Sequence, residues 1–310
     1  MGDPRSGIGP KHGPLHLFRQ SESRAADGRP ARPRCGKVGS VSEHSDSGPR
    51  DRQQMNRHVD PNSQSLVWRV DDVLDDTTGG DWIADALPRF EYTVGSLVPP
   101  IYTLYSRVLH PAARIDPDTG QQVRVRWAEV AAHTGGVIHQ TVEWGSLLQA
   151  GIHHGVGDGR DLVWHRKPDR GDMPEEQFAA LAEVLVEHTS TPDDCWFGFW
   201  EGRAGQALHL PAPGPRVRLP IRDNLLVHGT VRDAVRTLGG WGPNLWWPQD
   251  RAWFVATDID LMSTYIGSST ECALALAAHP DLEVIDTSNL RKVTWDSDEI
   301  NPLPPRPYGQ

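Results

Sequence analysis

The apolar residues of this chain occur in short runs interrupted by turn-forming residues, a spacing that is incompatible with a fold built only of long helices. Residues 195–202, CWFGFWEG, are too few and too aromatic for a helix and predict a buried strand. NLLVHG at Asn224–Gly229, LEVID at 282–286 and RVRLP at 216–220 predict further strands. AWFVAT at 252–257 is apolar at nearly every position, which predicts a central strand buried on both faces.

The first half of the chain carries the pattern of a β-hairpin. IYTLYSRVL at 101–109 has the aromatic and β-branched residues that strands favour. DPDTG at 116–120 is typical of a tight turn. In the segment that follows, Val123, Val125 and Trp127 alternate with polar residues. These features predict a hairpin with one face exposed to water.

Residues 172–188, DMPEEQFAALAEVLVEH, contain the clearest helical pattern of the chain. Asp172 and Glu175 have the spacing of a capping box. Apolar residues recur with the period of one helical face, and they are Phe178, Leu181, Ala182 and Leu185. Shorter helices are predicted within 75–88, 142–151, 230–240 and 264–280, the last as a loop followed by a helix capped by Ser268.

Strands and helices in this irregular order predict the α+β class, with a mixed, largely antiparallel β-sheet and packed helices. Residues 1–60 are rich in Gly, Pro, Ser, Arg and Asp, so they predict a disordered N-terminal extension. Met55 stands just before the first structured segment, which motivates the hypothesis that the extension is a start-site artefact. Residues 61–297 are expected to be globular, with a division into two subdomains near 155–172 as one option, and residues 298–310 to form a Pro-rich tail.

The charge balance and the cysteines limit the expected partners and compartment. The chain has 31 basic and 41 acidic side chains and a net charge of −10, which argues against nucleic-acid binding. Its three cysteines are widely spaced and favour a reducing cytoplasm over a disulfide framework. No run approaches the ~18–20 apolar residues that span a bilayer. The expected partner is therefore an unknown protein or a small molecule, with no nucleic acid and no membrane.

Two aspartates, Asp258 and Asp260, form a first candidate site, for a divalent metal ion. If the strand at 252–257 continues through them, their side chains share one face about 7 Å apart. Such carboxylates suit Mg²⁺ or Mn²⁺. The loop HHGVGDGRD adds His153 and His154 as further candidate ligands. A solvated strand end and a polar surface loop are the alternatives to a metal site at these two places.

A second candidate site is the segment GGWGPNLWWPQDR at 239–251. Its tryptophans lie between glycines and prolines, where large apolar side chains either close the edge of a core or line a binding surface. An aspartate and an arginine follow directly. The candidate binding residues are Trp241, Trp246, Trp247, Asp250, Arg251 and, from the resemblance described next, Tyr265.

The segment NLWWPQDRAWFVATDIDLMSTYIGSS, preceded by RLPIRDNLLVHG, resembles a family of uncharacterised bacterial proteins. The shared pattern is Pro-Asn-Leu-Trp-Trp-Pro-x-Asp-Arg-Ala-Trp-x-Val-Ala-Thr-x-Ile-Asp, followed by Ser-Thr-Tyr and a glycine, and it covers residues 243–267. The resemblance implies no particular reaction. It implies one local unit made of Trp246, Trp247, Asp250, Arg251, Trp253, Asp258, Asp260, Thr264 and Tyr265.

Three hypotheses for function follow. No Gly-x-Ser-x-Gly elbow, P-loop or dinucleotide fingerprint is present, which favours a non-catalytic small-molecule or protein-binding module that exposes Trp246 or Trp247. The alternative is a metal-dependent hydrolase that uses Asp258 and Asp260 with a histidine of the 153–165 segment. In that case a divalent metal is the cofactor. A structural role for all these residues is the third hypothesis.

Overall fold

The structure, a computed structural model, describes residues 66–148, 163–209 and 214–304. All of these residues belong to the unit Arg57–Gln310. The predictions for residues 1–60, for His153 and His154, and for most of the possible subdomain boundary lie outside the described residues. No helix in the described ranges is long and apolar enough to cross a membrane.

The described chain contains eleven strands and six α-helices. The strands are β1 (Val67–Trp68), β2 (Leu104–Leu109), β3 (Ala112–Ile115), β4 (Gln122–Val125), β5 (Cys195–Trp200), β6 (Asn224–Gly229), β7 (Thr237–Leu238), β8 (Leu245–Pro248), β9 (Phe254–Ala256), β10 (Ser263–Ser268) and β11 (Val284–Thr287). The helices are α1 (Asp81–Ala86), α2 (Trp127–Thr134), α3 (Trp144–Leu147), α4 (Glu175–Leu185), α5 (Ala204–Ala207) and α6 (Thr270–Ala278).

Seven of the strands form one antiparallel sheet in the order β11-β2-β10-β9-β8-β5-β6. β9 lies in its middle, with Ala256 paired to Tyr265 of β10 and Val255 paired to Trp246 of β8. Among the described strands, only the two-residue pair of β1 and β7 is parallel. The predicted α+β class with a largely antiparallel sheet is confirmed.

The two faces of the sheet bury different parts of the chain. On one face, α4 and α6 pack against Val255 and Ile266. On the other face, α1 and the segment that follows it pack against Phe254 and Ala256. Successive residues of a strand point to opposite faces, so β9 is apolar on both faces, as AWFVAT predicts.

The predicted turn at 116–120 does join a hairpin, but its arms are β3 and β4, which pack beside α2 and α3 in a third apolar cluster. The first arm predicted for this hairpin, residues 101–109, is wrong, because that segment contains β2, which pairs with β10 and β11 in the seven-stranded sheet. Asp116 closes the hairpin turn, because Oδ1 accepts hydrogen bonds from the backbone of Asp118 (2.9 Å) and Thr119 (3.0 Å). Gly120 ends the turn at a φ of +68°, where a side chain would be strained. Trp127 does not extend β4 but begins α2.

The helix predicted within 172–188 is confirmed as α4, and the prediction for α6 is corrected. The capping box predicted for Asp172 and Glu175 is wrong, because α4 begins at Glu175 directly after Pro174 and has no side-chain cap. All four apolar residues predicted for the α4 face are buried. The loop predicted before α6 is wrong, because Ser263–Ser268 forms a strand whose six residues are buried between β2 and β9. The cap of α6 is Ser269, whose Oγ accepts a hydrogen bond from the Cys272 backbone at 3.2 Å, and not Ser268. Glycine and serine give this segment the composition of a loop, and only the neighbouring strands reveal that it is extended.

Two other local predictions are also wrong. The helix predicted within 230–240 is a 3₁₀ turn at Val231–Val235, because Arg236 becomes extended and leads into β7. The strand predicted at 216–220 is a single bridge, in which Val217 pairs with Asn224.

The segment predicted as a Pro-rich tail begins with buried, hydrogen-bonded residues. Asp298 accepts hydrogen bonds from the backbone of Asn301 (2.7 Å) and of Glu143 (3.1 Å). His139 Nε2 lies 2.8 Å from the same carboxylate. Residues 298–301 are therefore anchored to the loop before α3.

Candidate functional site

Asp258 and Asp260 lie together in the structure, but a guanidinium joins them. Arg222 donates from Nε to Asp258 Oδ2 (2.9 Å) and from Nη2 to Asp258 Oδ1 (3.2 Å). Nη2 also donates to Asp260 Oδ2 at 2.6 Å. Burial alone would lower the pKa of Arg222, but the hydrogen bonds and charges of the two aspartates outweigh burial and raise the pKa. The three side chains form a charge-assisted cluster.

The strand geometry expected for these aspartates is wrong. β9 ends at Ala256, and the chain turns at Asp258, whose Oδ1 also accepts a hydrogen bond from the backbone of Asp260 at 2.9 Å. Both carboxylates thus already bind a cation, the guanidinium of Arg222. Among the described residues, no group of three or more His, Cys, Asp or Glu side chains has the geometry to hold a metal ion.

Gly171 fixes the turn after β9 from its other side. It adopts a φ of +67°, and a Cβ at this position would lie 2.2 Å from the Cα of Ile259. Its backbone donates to Leu261 O at 2.9 Å. Arg203 donates to Gly171 O (3.3 Å) and to Ile259 O (3.4 Å). The position of the turn therefore depends on a close backbone contact that only glycine permits.

The tryptophans expected on a surface are divided between two environments. Trp246 and Trp247 are buried, so the expectation that a binding protein exposes one of them is wrong. They lie in β8, inside the sheet, and face opposite sides. Trp246 stacks on Phe197 with ring centroids 6.1 Å apart, and Trp247 stacks on Phe254 at 5.7 Å. Both tryptophans are core residues, because each face of the sheet is covered.

Trp241 is the exception among the three, with 36% of its surface exposed. The guanidinium of Arg203 lies 4.3 Å from the centroid of its ring. This cation–π contact covers one side of the indole. Trp241 thus lies at the surface, but it does not form an exposed aromatic cluster with Trp246 and Trp247.

The remaining candidate residues have structural contacts. Asp250 accepts hydrogen bonds from Thr189 Oγ1 (2.8 Å) and from the backbone of Ser190 (2.7 Å), which ties its turn to the end of α4. Burial would raise the pKa of Asp250, but these and other hydrogen bonds lower it. The guanidinium of Arg251 lies 4.6 Å from the ring centroid of Trp82.

Tyr265 is buried in β10 beneath the guanidinium of Arg107, which lies 5.7 Å from its ring centroid. Burial raises the pKa of Tyr265 to about 12. Tyr265 is therefore a neutral core residue.

The structure contains a small cleft, of about 50 Å³, that no pattern in the sequence predicted. Its lining comes from three parts of the chain: Leu245 of β8 with Ala256 of β9, the segment after α1, and residues 219–222. Ten of its sixteen lining residues are apolar, and they include Leu87, Phe90, Leu97, Leu219, Ile221 and Leu245. Arg222 and Asp258 lie among the polar residues of the lining. A mostly apolar cleft with a few polar groups is the usual form of a small-molecule site.

Two further lining residues, Trp200 and Asn244, contact the polar groups of the cleft. The Arg222 guanidinium lies 5.2 Å from the ring centroid of Trp200. Asn244 Oδ1 accepts from the Trp200 backbone (2.9 Å), and Asn244 Nδ2 donates to Thr257 O (3.0 Å). Asn244 thus joins two segments of the lining, and Arg222 is held in place by its neighbours.

A buried chain of hydrogen bonds lies next to the same strand end. His110 Nδ1 is 2.9 Å from Asp169 O, and His110 Nε2 is 2.9 Å from Thr264 Oγ1, which is 2.7 Å from Thr257 Oγ1. Burial lowers the pKa of His110 to about 4, so the ring is neutral at pH 7. A carbonyl can only accept, hence Nδ1 carries the proton and Nε2 accepts from the Thr264 hydroxyl. The chain joins three segments of the protein.

The residues of the cleft gave little signal in the sequence. Residues 222–224 had the composition of a polar turn, and nothing local marks Arg222 as the partner of Asp258. Arg222 next to Ile221 is a weak indication of a binding site by itself, and so is the pair of aspartates further along the chain. The aspartates were recognised as a pair, but the cation between them was not.

The chain matches no protein-family model, and comparisons with curated proteins and with solved structures give no match either.

Proposed function

We propose that the protein is a non-catalytic binding protein for a small, largely apolar molecule that occupies the cleft beside β8 and β9. The observation that carries this proposal is the lining of the cleft, in which ten of sixteen residues are apolar and polar groups occupy a minority of positions. Burial of apolar ligand surface supplies the driving force for such binding.

The polar groups of the cleft support binding more than catalysis. Asp258 is the carboxylate of the described lining, and both of its oxygens accept hydrogen bonds from Arg222. A general base must be able to accept a proton from the substrate. A carboxylate engaged in this way serves as a positioning group for Arg222.

A small molecule is favoured over a protein partner because of where the aromatic residues lie. The core positions of Trp246 and Trp247 remove them from any contact surface. The cleft is concave, which suits a small ligand. We also propose a reducing cytoplasm as the compartment, a proposal that the two free, buried cysteines Cys195 and Cys272 support.

Titration with N-phenyl-1-naphthylamine, an uncharged dye that becomes fluorescent in apolar surroundings, tests the proposal on the full chain. Ile221, 49% exposed, lies in the cleft wall, and Leu274, 66% exposed, lies on α6 at the other face of the sheet. We expect saturable binding that Ile221→Asp weakens about fivefold or more, since a charge replaces apolar contact. Leu274→Asp is the matched control and should leave binding unchanged.

Two results would overturn the proposal. The first is the absence of saturable dye binding to the folded protein. The second is an equal effect of Ile221→Asp and Leu274→Asp, which would place the dye outside the cleft.

A further inference from the structure

We infer that the ligand of this cleft is an uncharged molecule whose hydrogen-bond acceptor, such as a ketone, ester or amide carbonyl, binds Arg222, and that the cleft rejects carboxylates. This inference rests on the proposed function and names the class of ligand.

The first argument is the fixed position of the donor. Three hydrogen bonds to Asp258 and Asp260 and the ring of Trp200 hold the guanidinium in one orientation. Nε and Nη2 are engaged in these bonds, and Nη1 has no hydrogen-bond partner among the described residues. A donor that is already fixed loses little conformational entropy when a ligand binds it.

The second argument is the charge around that donor. One guanidinium lies against two carboxylates, so the cluster carries one net negative charge. A guanidinium with a free charge would attract a carboxylate ligand. Here an anion would gain one hydrogen bond but would lie close to two like charges, whereas a neutral carbonyl gains the hydrogen bond without that repulsion.

The third argument is the state of the other polar groups. Asn244 uses both atoms of its amide on backbone groups, and Asn224 Nδ2 donates to Arg222 O at 2.9 Å. Ser96 Oγ lies 2.8 Å from the Glu91 backbone nitrogen, from which it accepts. These side chains stabilise the lining itself, whereas Arg222 Nη1 has no hydrogen-bond partner among the described residues and can donate to a ligand.

Four compounds with one apolar skeleton test the inference by displacement of N-phenyl-1-naphthylamine from the full chain. They are naphthalene, 2-acetonaphthone, 2-naphthoate and 2-naphthylmethylammonium. We expect the ketone to bind at least about fivefold more tightly than naphthalene, because it adds a hydrogen bond to a charged donor. We expect the carboxylate to bind at least about fivefold more weakly than the ketone. The ammonium should also bind more weakly than the ketone, because it has no acceptor for the Arg222 donor and carries the same charge as the guanidinium.

The substitution Asp260→Asn removes a negative charge and nearly keeps the shape of the side chain, so it tests the effect of charge on binding. Asp260 has a side chain that is 71% exposed, so its replacement keeps the Arg222–Asp258 pair and should not affect folding. Removal of one negative charge should increase the affinity for 2-naphthoate about threefold and change the affinity for the ketone by less than about twofold. Asp286→Asn, an exposed position on the edge strand β11, is the matched control and should change neither.

The outcomes distinguish this inference from the proposed function. Suppose that Ile221→Asp weakens the binding of all four compounds, and that the carboxylate or the ammonium nevertheless binds as tightly as the ketone. The ligand class is then wrong, and the cleft remains a binding site. The same conclusion follows if Asp260→Asn leaves the ratio of the dissociation constants of the carboxylate and the ketone unchanged. If none of the compounds displaces the dye, or Ile221→Asp has no effect, the proposed function itself fails.

Discussion

Arg222 and Asp258 form a two-pronged ion pair, Nε to Oδ2 at 2.9 Å and Nη2 to Oδ1 at 3.2 Å, at the end of the central strand of the sheet. The pair spans 36 residues of sequence and connects the segment before β6 to the turn after β9. In this geometry the Arg222 side chain has two roles. It supplies a polar group of the cleft, and it compensates the charge of the nearly buried Asp258 carboxylate.

Loss of Arg222 should therefore destabilise the fold. We expect Arg222→Met to lower the free energy of unfolding by about 2 kcal/mol, because it leaves Asp258 without its counterion in a mostly buried position. Arg218→Met is the control, since Arg218 is 69% exposed in its pair with Asp223, and it should cost less than about 0.5 kcal/mol. Urea unfolding followed by circular dichroism measures both, and equal costs would contradict the assigned role of Arg222.

The metal-dependent alternative makes a different prediction. Because the guanidinium already occupies both carboxylates, we expect Mg²⁺ or Mn²⁺ to shift the melting temperature of the wild-type protein no more than that of the double variant Asp258→Asn, Asp260→Asn. Thermal-shift measurements with and without each ion provide the comparison. Ion-dependent stabilisation of the wild type that disappears in the double variant would support the hydrolase hypothesis instead.

The tryptophans should differ sharply in their contribution to stability. We expect Trp247→Ala to cost about 3–5 kcal/mol, because it opens a cavity between stacked core rings. Trp241→Ala should cost about 1 kcal/mol, since it removes a partly exposed ring and its contact with Arg203. Chemical denaturation of the two variants tests this order. A loss of unfolding free energy for Trp241→Ala as large as that for Trp247→Ala would contradict it.

His110 should make the protein less stable in mild acid. The pKa of His110 is lowered from its ordinary 6.5 to about 4 by burial, so below pH 6.5 the unfolded chain takes up a proton that the folded chain does not. The stability that neutral His110 provides is present above pH 6.5 and decreases as the pH falls towards about 4. We expect this loss to be about 3 kcal/mol at pH 4.

Unfolding of His110→Asn from pH 7.5 to 4 isolates this contribution, because an asparagine amide can donate to Asp169 O without taking up a proton. The slope of stability against pH should be smaller in this variant than in the wild type. His133→Asn, at an exposed position of α2, is the control and should keep the wild-type slope. Identical slopes in all three proteins would contradict the prediction.

The sequence predicted elements whose cause is local. CWFGFWEG and NLLVHG are apolar runs too short for helices, and both form strands, β5 and β6. The α4 helix follows from apolar spacing along one face. Burial of β10 depends instead on two neighbouring strands, and its Gly- and Ser-containing sequence gives no sign of them.

The site was predicted less well, because it depends on contacts between distant parts of the chain. Asp258 and Asp260 were identified as a pair from their spacing, and they do lie together. Their partner Arg222 lies on another segment, and the apolar wall at 87–97 comes from a third. Local patterns cannot show which segments meet, so the same two carboxylates suggested a metal ion where the structure has an arginine.

Gly171 lies outside the cleft lining, yet the backbone turn that positions Asp258 rests against it, and Arg203 bonds to both segments. If the cleft binds a ligand as we propose, a genetic screen for loss of that binding should recover substitutions at positions 171 and 203 as well as in the lining itself. Such variants would look allosteric in a binding assay, although their origin would be steric. Comparison of related sequences would show the same effect, with glycine at 171 retained wherever the cleft is in use.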